Sequence, residues 1–276
     1  MYYYIFEPPK SQSMRAHFEK IRDISREYSI SGEITQASPA RTPEELATMA
    51  IEKNYSTIVA VGDDSHVNRI TSQIIREKAE LPVALGIIST DPESMLFERW
   101  GFKKPEDACE ALKFRKLERF DAGLVEPNFY FLTSCKIECK KPTRITIEVD
   151  RWRADAIIDR LEVSSNLYIL IERFLKERSV SKSLLNWLMG KPNYSADRSI
   201  FKAKIIRIIS EDSLPILVDK IVVGHTPVNI YRKPHALNII TKRDKVLMGP
   251  ADAERVRGVA PENSLELSAN HSDISQ

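Results

Sequence analysis

The sequence predicts a mixed fold: a three-layer α/β region with a mainly parallel sheet, followed by a region built almost entirely of strands. Two observations support this prediction. Before Phe120, short apolar segments alternate with segments whose apolar residues have helical spacing, which implies right-handed crossovers and a parallel sheet. After Phe120, many segments alternate apolar and polar residues, as half-buried antiparallel strands do. The second region is therefore expected to be β-sandwich-like.

The first region contains strong local signals for individual elements. Residues 57–61 are continuously apolar or β-branched, which is typical of a strand buried on both faces. Thr42, Pro43 and Glu45 form a capping box with an early proline, so a helix is predicted to begin at Pro43. The other predicted strands are 2–6, 32–37 and 83–88, and the other predicted helices are 14–28, one through 67–74, 92–99 and 105–114.

The second region is predicted from weaker, alternating segments. The polar sequence beyond about Pro250 indicates a disordered tail. The predicted organisation is an α/β nucleotide-binding-like domain over residues 1–124, a β-rich domain over 125–248 and a tail over 249–276. The predicted strands of the second region are 129–136, 144–149, 160–163, 201–209, 216–223, 228–231 and 236–241, with one helix over 172–189.

Composition excludes several classes of protein. The net charge of +2 over 276 residues is too small to indicate nucleic acid as a partner. No apolar run reaches the roughly 18 residues of a membrane span, and no basic segment precedes the apolar start, so no signal peptide is predicted. Three cysteines without CxxC spacing favour a reducing compartment, and we expect a soluble, cytoplasmic protein. The five scattered histidines predict no metal site.

Two turns that lead from buried strands into helices are the places where chemistry is expected. The first turn covers residues 62–66 and the second covers residues 89–94. Ligands of parallel α/β sheets bind beyond the carboxyl ends of the strands, and the N–H groups at the start of a helix bind anions. Both turns are therefore candidate anion sites. No GxxxxGK[ST] or GxGxxG motif occurs in the chain.

These turns resemble those of the diacylglycerol kinase-like family, which includes sphingosine kinases and bacterial lipid kinases. The frame from Val61 to Asn68 is similar to the family's Gly-Gly-Asp-Gly-Thr turn, which NAD kinases share. Residues 85–94 are similar in frame to the family's second turn, Leu-Gly-Ile-Ile-Pro-x-Gly-Thr-x-Asn. Asp219 stands where the family has Asp-Gly-Glu, and the likeness covers about residues 1–242.

The resemblance implies a set of functional residues. Asp219 would take a proton from a lipid hydroxyl as general base, although a solvated turn residue is an equal alternative. Asp64 would help to position nucleotide or Mg²⁺, or it would simply cap a helix. An active relative would use ATP and Mg²⁺. The candidate cofactor-binding residues are Gly62, Asp63, Ser65, His66, Ser89, Thr90 and Ser94.

The departures from the family pattern predict impaired phosphate binding. Glycines of the family turns are replaced by Asp63, Ser65 and Asp91, and Glu93 adds another carboxylate nearby. Side chains at such positions block the approach of phosphate to the backbone. A carboxylate about 4 Å from a phosphate charge costs roughly 4 kcal/mol at an effective dielectric near 20, about a thousandfold in affinity. The segment 90–93 carries the residues of a self-capped helix start, and His66 is expected to be exposed.

The first hypothesis is therefore a diacylglycerol kinase-like protein that is inactive or altered and binds another ligand or a partner. The alternative is an active ATP-dependent lipid kinase that phosphorylates a diacylglycerol-like hydroxyl, and the second alternative is an NAD kinase-like enzyme. The expected partners are a nucleotide or a lipid headgroup, with peripheral membrane contact and a homodimer left open. A basic patch of Lys136, Lys140, Lys141 and Arg144 is either a solvated rim or a contact for lipid headgroups.

Overall fold

The computed structural model describes residues 1–80, 82–176 and 194–242. The first region alternates strands and helices as predicted. Its helix starts follow local capping, as at Thr42, whose side chain accepts from the Glu45 N–H while the Glu45 carboxylate accepts from the Thr42 N–H. The elements are β1 (Tyr2–Phe6), α1 (Gln12–Glu27), β2 (Gly32–Gln36), α2 (Pro43–Glu52), β3 (Thr57–Gly62), α3 (Asp64–Arg76), β4 (Ala84–Ser89), α4 (Met95–Arg99) and α5 (Pro105–Phe114).

The parallel strands lie in the order β4-β3-β1-β2. Helix α1 contacts α5, and α2 contacts α3. The chain leaves β1 towards β2 and leaves β3 in the opposite direction, towards β4. The crevice between the carboxyl ends of β1 and β3 is therefore a topological switch point, where doubly wound sheets bind their ligands.

The prediction of a helix over residues 92–99 was wrong at its start. Pro92 and Glu93 lie in a turn, in which the Glu93 N–H donates to Asp91 Oδ1 over 2.9 Å. Helix α4 begins only at Met95, and the Ser94 hydroxyl caps it by accepting from the Phe97 N–H at 3.0 Å. The Asp91 carboxylate therefore stabilises this turn instead of the first turn of the helix.

The second region is rich in strands, as predicted, and it is longer in regular structure than the sequence indicated. Its first strand starts directly after α5, whose last turn ends at Arg115 in the left-handed conformation (φ 49). Its strands are β5 (Lys116–Val125), β6 (Phe129–Phe131), β7 (Ser134–Val149), β8 (Trp152–Ser164), β9 (Tyr168–Lys176), β10 (Tyr194–Lys202), β11 (Ile205–Ser210), β12 (Pro215–Val218), β13 (Ile221–His225) and β14 (Val228–Thr241).

The helix predicted over residues 172–189 was wrong in its first five residues, which belong to β9. Glu172 pairs in register with Arg160 of β8 and with Arg198 of β10. Its carboxylate accepts from Arg198 at 2.9 Å and lies 3.6 Å from Arg160. These cross-strand ion pairs favour the extended conformation at Glu172. The remainder of that helix, and the tail predicted over 249–276, lie outside the described residues.

Strand β14 joins the two regions into one hydrogen-bonded sheet. It pairs with β4 in parallel and with β5 and β11 antiparallel. Two separate apolar cores result. The core of the α/β region includes Ile239 and Ile240, whereas the core of the strand-rich region includes Val228 and Ile230. One strand therefore contributes to both cores.

Within the described part of the chain, no helix is long and apolar enough to cross a membrane.

Candidate functional site

Four side chains meet at the switch point beyond the carboxyl ends of the parallel strands. Glu7 directly follows β1, and it is only 3% exposed. The Thr90 hydroxyl, which follows β4, donates to Glu7 Oε1. Lys10 Nζ lies 3.2 Å from Glu7 Oε2 and 2.8 Å from Asp63 Oδ2. The polar side chains at this crevice are thus bound to one another by internal ion pairs and hydrogen bonds.

Burial and the ion pairs set the charges of this cluster. Burial raises the pKa of Glu7, although Thr90 and Lys10 counteract this effect. Burial would also raise the pKa of Asp63, but hydrogen bonds from Lys10 and from the His66 N–H lower it below its usual value. The pKa of Lys10 is raised, chiefly by its hydrogen bond to Asp63. Lys10 and Asp63 are therefore a charged pair at neutral pH.

The first turn is filled by its own side chains. Asp63 caps α3, since its Oδ1 accepts from the His66 N–H at 2.9 Å. The His66 ring lies over Gly62, where an added Cβ would be only 2.9 Å from the ring carbon Cδ2. The space that a glycine turn leaves for a phosphate is therefore occupied by an imidazole and a carboxylate.

The prediction that His66 is exposed was wrong. The residue is 4% exposed, and its Nε2 lies 2.9 Å from the carbonyl oxygen of Ile5. Burial lowers the pKa of His66 to about 4. The reason is that α3 is covered by the sheet on one side and by α2 and β6 on others, so that its first turn also lies inside the protein.

Asp64 connects the first turn to the second. Its Oδ2 accepts from the N–H groups of Met95, at 2.8 Å, and Leu96, at 3.4 Å, while the Ser94 hydroxyl donates to its Oδ1. Burial raises the pKa of Asp64 to about 6, and the charge of Asp219 contributes to this rise. Asp64 therefore caps a helix, but it caps α4, a different helix from the one that it begins.

Asp219 lies at the turn between β12 and β13, in a left-handed conformation (φ 45) that is uncommon for a non-glycine residue. Its Oδ2 accepts from Asn68 Nδ2 and, at 3.2 Å, from the Thr133 hydroxyl. Burial raises the pKa of Asp219 against the effect of these hydrogen bonds. Two carboxylates with raised pKa values, Asp64 and Asp219, are thus brought near each other.

Asn68 is the residue that holds this arrangement together. It is fully buried in α3; its Nδ2 also donates to Thr133 Oγ1 at 2.8 Å, and its Oδ1 accepts from the Leu132 N–H at 2.7 Å. Glu7, Lys10 and Thr133 were not among the predicted site residues. The polar sequence directly after β1 was the one available signal for the first two of these.

The remaining predicted site residues are placed as follows. Ser65 is half-buried and lines a cavity of about 320 Å³ together with Glu7, Lys10 and Arg69. Arg69 is held by two hydrogen bonds to the Glu44 carboxylate, at 2.6 and 2.7 Å. The Ser89 hydroxyl is buried and hydrogen-bonds the backbone of Asp91. Residues 1–80, 82–176 and 194–242 contain no group of three His, Cys, Asp or Glu side chains that could hold a metal ion.

Comparison with known proteins identifies the fold family. Residues 3–125 match the family model described as the diacylglycerol kinase catalytic domain. The fold is diacylglycerol kinase-like. Among solved structures, a diacylglycerol kinase from Bacillus anthracis str. Sterne shares the fold of this diacylglycerol kinase-like chain, with 15% identity, coverage of 88% of this chain and 98% of that one, and a TM-score of 0.67.

Two other chains from the same strain are similar to the diacylglycerol kinase-like protein at 14% and 13% identity, with TM-scores of 0.67 and 0.68. Each match covers 88% of this chain and 97% or 98% of the other. At such low identity the likeness concerns the fold alone. A comparison with curated proteins gives no significant match.

Proposed function

We propose that this diacylglycerol kinase-like protein does not transfer phosphate and uses its cleft for another ligand or a protein partner. One observation supports this proposal above all. The Asp64 carboxylate accepts from the N–H groups of Met95 and Leu96, at the start of α4. Such N–H groups are the donors that a bound phosphate requires. In this protein they are already satisfied by a carboxylate from the chain itself.

The first turn supports the same conclusion. The His66 N–H donates to Asp63, the His66 ring covers Gly62, and Lys10 is held between two carboxylates. The residues present therefore do not fit ATP. A phosphate at this point would have to displace the imidazole and approach the Asp63 charge, at a cost of roughly 4 kcal/mol for a separation near 4 Å.

The experiment is a calorimetric titration of the full chain with ATP and Mg²⁺. We expect no binding tighter than about 1 mM for the wild type, and a clear gain in affinity for Asp63→Gly combined with His66→Thr, because this variant opens the first turn and removes one charge. Asp23→Asn also removes one negative charge, but from the exposed side of α1, and it should leave binding unchanged. Micromolar ATP binding by the wild type would contradict the proposal.

An active lipid kinase is the second candidate, and the two neighbouring carboxylates favour it. Burial raises the pKa of both Asp64 and Asp219, and carboxylates in this state often act in proton transfer. Asp219, fixed by Asn68 and Thr133, would accept the proton of a lipid hydroxyl. This candidate requires phosphorylation of diacylglycerol in mixed micelles that disappears in Asp219→Ala and persists in Asp212→Ala, a change at an exposed loop residue.

A further inference from the structure

The turn between β7 and β8 carries the most exposed large apolar side chain of the described residues. Trp152 is 80% exposed at the start of β8, opposite Val149 at the end of β7. Asp150, in the left-handed conformation (φ 51), and Arg151 form the turn between them. Transfer of an indole ring from water is favourable, so burial of this exposed ring against a partner would stabilise a complex.

Hydrogen bonds fix this turn to the segment that leads into β11. Asp150 Oδ1 accepts from the N–H groups of Lys204 and Ile205, both at 3.1 Å, and the Asp150 N–H donates to the Ile205 carbonyl at 3.2 Å. These bonds place Lys204 and Ile205, which is 48% exposed, beside the turn. A defined surface of Arg151, Trp152, Arg153, Lys204 and Ile205 results, here called the tip surface.

The charge of the tip surface is positive. Arg151, Arg153 and Lys204 are exposed, and Arg151 and Lys204 form no ion pair within the described part of the chain. Asp150 adds a carboxylate in the turn itself, and Arg153 lies opposite Glu148 and interacts with Asp155. Asp155 also pairs with Arg144 at 2.8 Å, and Glu148 lies 3.8 Å from Arg207. In contrast, the basic patch that the sequence indicated is partly neutralised, because Arg144 is paired in this way and Lys136 lies 3.8 Å from Glu162.

A short series of hydrogen bonds leads from the tip surface to the candidate site. Ala203, next to Lys204, donates its N–H to the Leu167 carbonyl at 3.0 Å. Two residues before Leu167, the Ser165 N–H donates to the Thr133 carbonyl at 3.0 Å. Thr133 in turn donates its hydroxyl to Asp219. The tip surface and Asp219 therefore belong to neighbouring parts of the strand-rich region.

We propose that the tip surface docks on an anionic lipid bilayer. Trp side chains favour the interface between headgroups and acyl chains, because the apolar ring contacts the acyl region while its N–H remains hydrogen-bonded to water or headgroups. Arg and Lys near an anionic leaflet add attraction of the sort that polybasic segments use. The exposed Trp152, together with Arg151 and Lys204, which form no ion pair among the described residues, fits this environment. The proposal does not depend on whether the cleft binds nucleotide.

The experiment is co-sedimentation of the full chain, without nucleotide, with vesicles of phosphatidylcholine alone or mixed with phosphatidylserine. Binding is expected only to the mixed vesicles and should weaken with added salt. Arg151→Gln combined with Lys204→Gln should weaken binding by about thirtyfold, and Trp152→Ala by about tenfold. The matched controls, Lys103→Gln combined with Arg119→Gln and the exposed-aromatic change Phe114→Ala, should bind as the wild type does.

Fluorescence and oligomeric state provide the second readout. The emission of Trp152, obtained as the difference between the wild type and Trp152→Phe, should shift to shorter wavelength on addition of anionic vesicles. Equal binding of the wild type and the tip variants would overturn the proposal. A concentration-dependent dimer that Trp152→Ala abolishes, in a protein that binds no vesicles, would also overturn it and would assign the surface to a second copy of the chain.

Discussion

Replacing Asp64 with Asn should reveal a pH dependence of stability that is hidden in the wild-type protein. Burial raises the pKa of Asp64 to about 6 and lowers that of His66 to about 4. Between about pH 4 and about pH 6, folded Asp64 holds a proton that the unfolded chain has released, so its contribution to stability is lost as the pH rises. Folded His66 is neutral where the unfolded chain is protonated, so its contribution is lost as the pH falls.

The two effects have similar size and opposite sign. For Asp64, the rise of the pKa from its ordinary value of 3.8 to about 6 corresponds to about 3 kcal/mol. For His66, the shift from 6.5 to about 4 also corresponds to about 3 kcal/mol. Their sum changes little between about pH 4 and about pH 6, where the two groups compensate each other.

Each single variant should therefore uncover the effect of the other group. In Asp64→Asn, which retains an oxygen for the Met95 N–H, the free energy of unfolding should rise by about 3 kcal/mol relative to the wild type from about pH 4 to about pH 6.5. In His66→Gln it should fall by about 3 kcal/mol relative to the wild type over the same range.

Urea unfolding followed by circular dichroism at several pH values measures these differences. Comparison with the wild type at each pH cancels the contributions of groups that do not interact with the replaced residue, such as Glu7 in the case of Asp64→Asn. Gln12→Ala at the exposed start of α1 removes no titratable group; it is the control and should give a difference that does not vary with pH. A curve for Asp64→Asn that runs parallel to that of the wild type would refute the assignment of a raised pKa to Asp64.

Three further substitutions test the packing, each by urea unfolding. Asn68→Leu should cost about 2–4 kcal/mol, because the Leu132 N–H and the Asp219 carboxylate lose their partner in the interior, and a cost below about 1 kcal/mol would contradict its role. Gly123→Ala should cost about 1–3 kcal/mol, since the new Cβ would lie 2.3 Å from Cζ of Phe131; the double change with Phe131→Leu should recover part of this cost, and no recovery would argue against the clash. Thr42→Ala should cost about 1 kcal/mol by removing the cap of α2, whereas Thr42→Ser should be neutral, and equal losses in both would speak against capping.

Local signals in the sequence were sufficient for most of the first region. The capping box at Thr42 lies within four residues, and the apolar run at 57–61 depends only on burial of the strand on both faces. Both predictions are confirmed, as are the mixed fold class and the resemblance to the diacylglycerol kinase-like family. These features depend on neighbours along the chain, which is why the pattern of residues reveals them.

The candidate site could be predicted only in part, because its contacts join distant residues. The partners of Asp64 are 30 to 32 positions away, and Asn68 and Asp219 are separated by 151 positions. The sequence indicated that a carboxylate of this chain would cap the helix that follows the second turn, which is α4. It suggested Asp91 or Glu93, from that turn itself, for this role. Only the fold shows that Asp64 does so. Whether the predicted residues bind any ligand stays a prediction.

The shared strand β14 has a consequence for how the protein unfolds. Ile230 lies in the core of the strand-rich region and Ile239 in that of the α/β region, so extraction of this one strand would expose apolar surface on both sides. We expect the amide protons of β3 and β11 to exchange with deuterium at the same rate under conditions of global opening, as one cooperative unit. Strand β14, the last strand in the described part of the chain, would then couple the unfolding of the two regions.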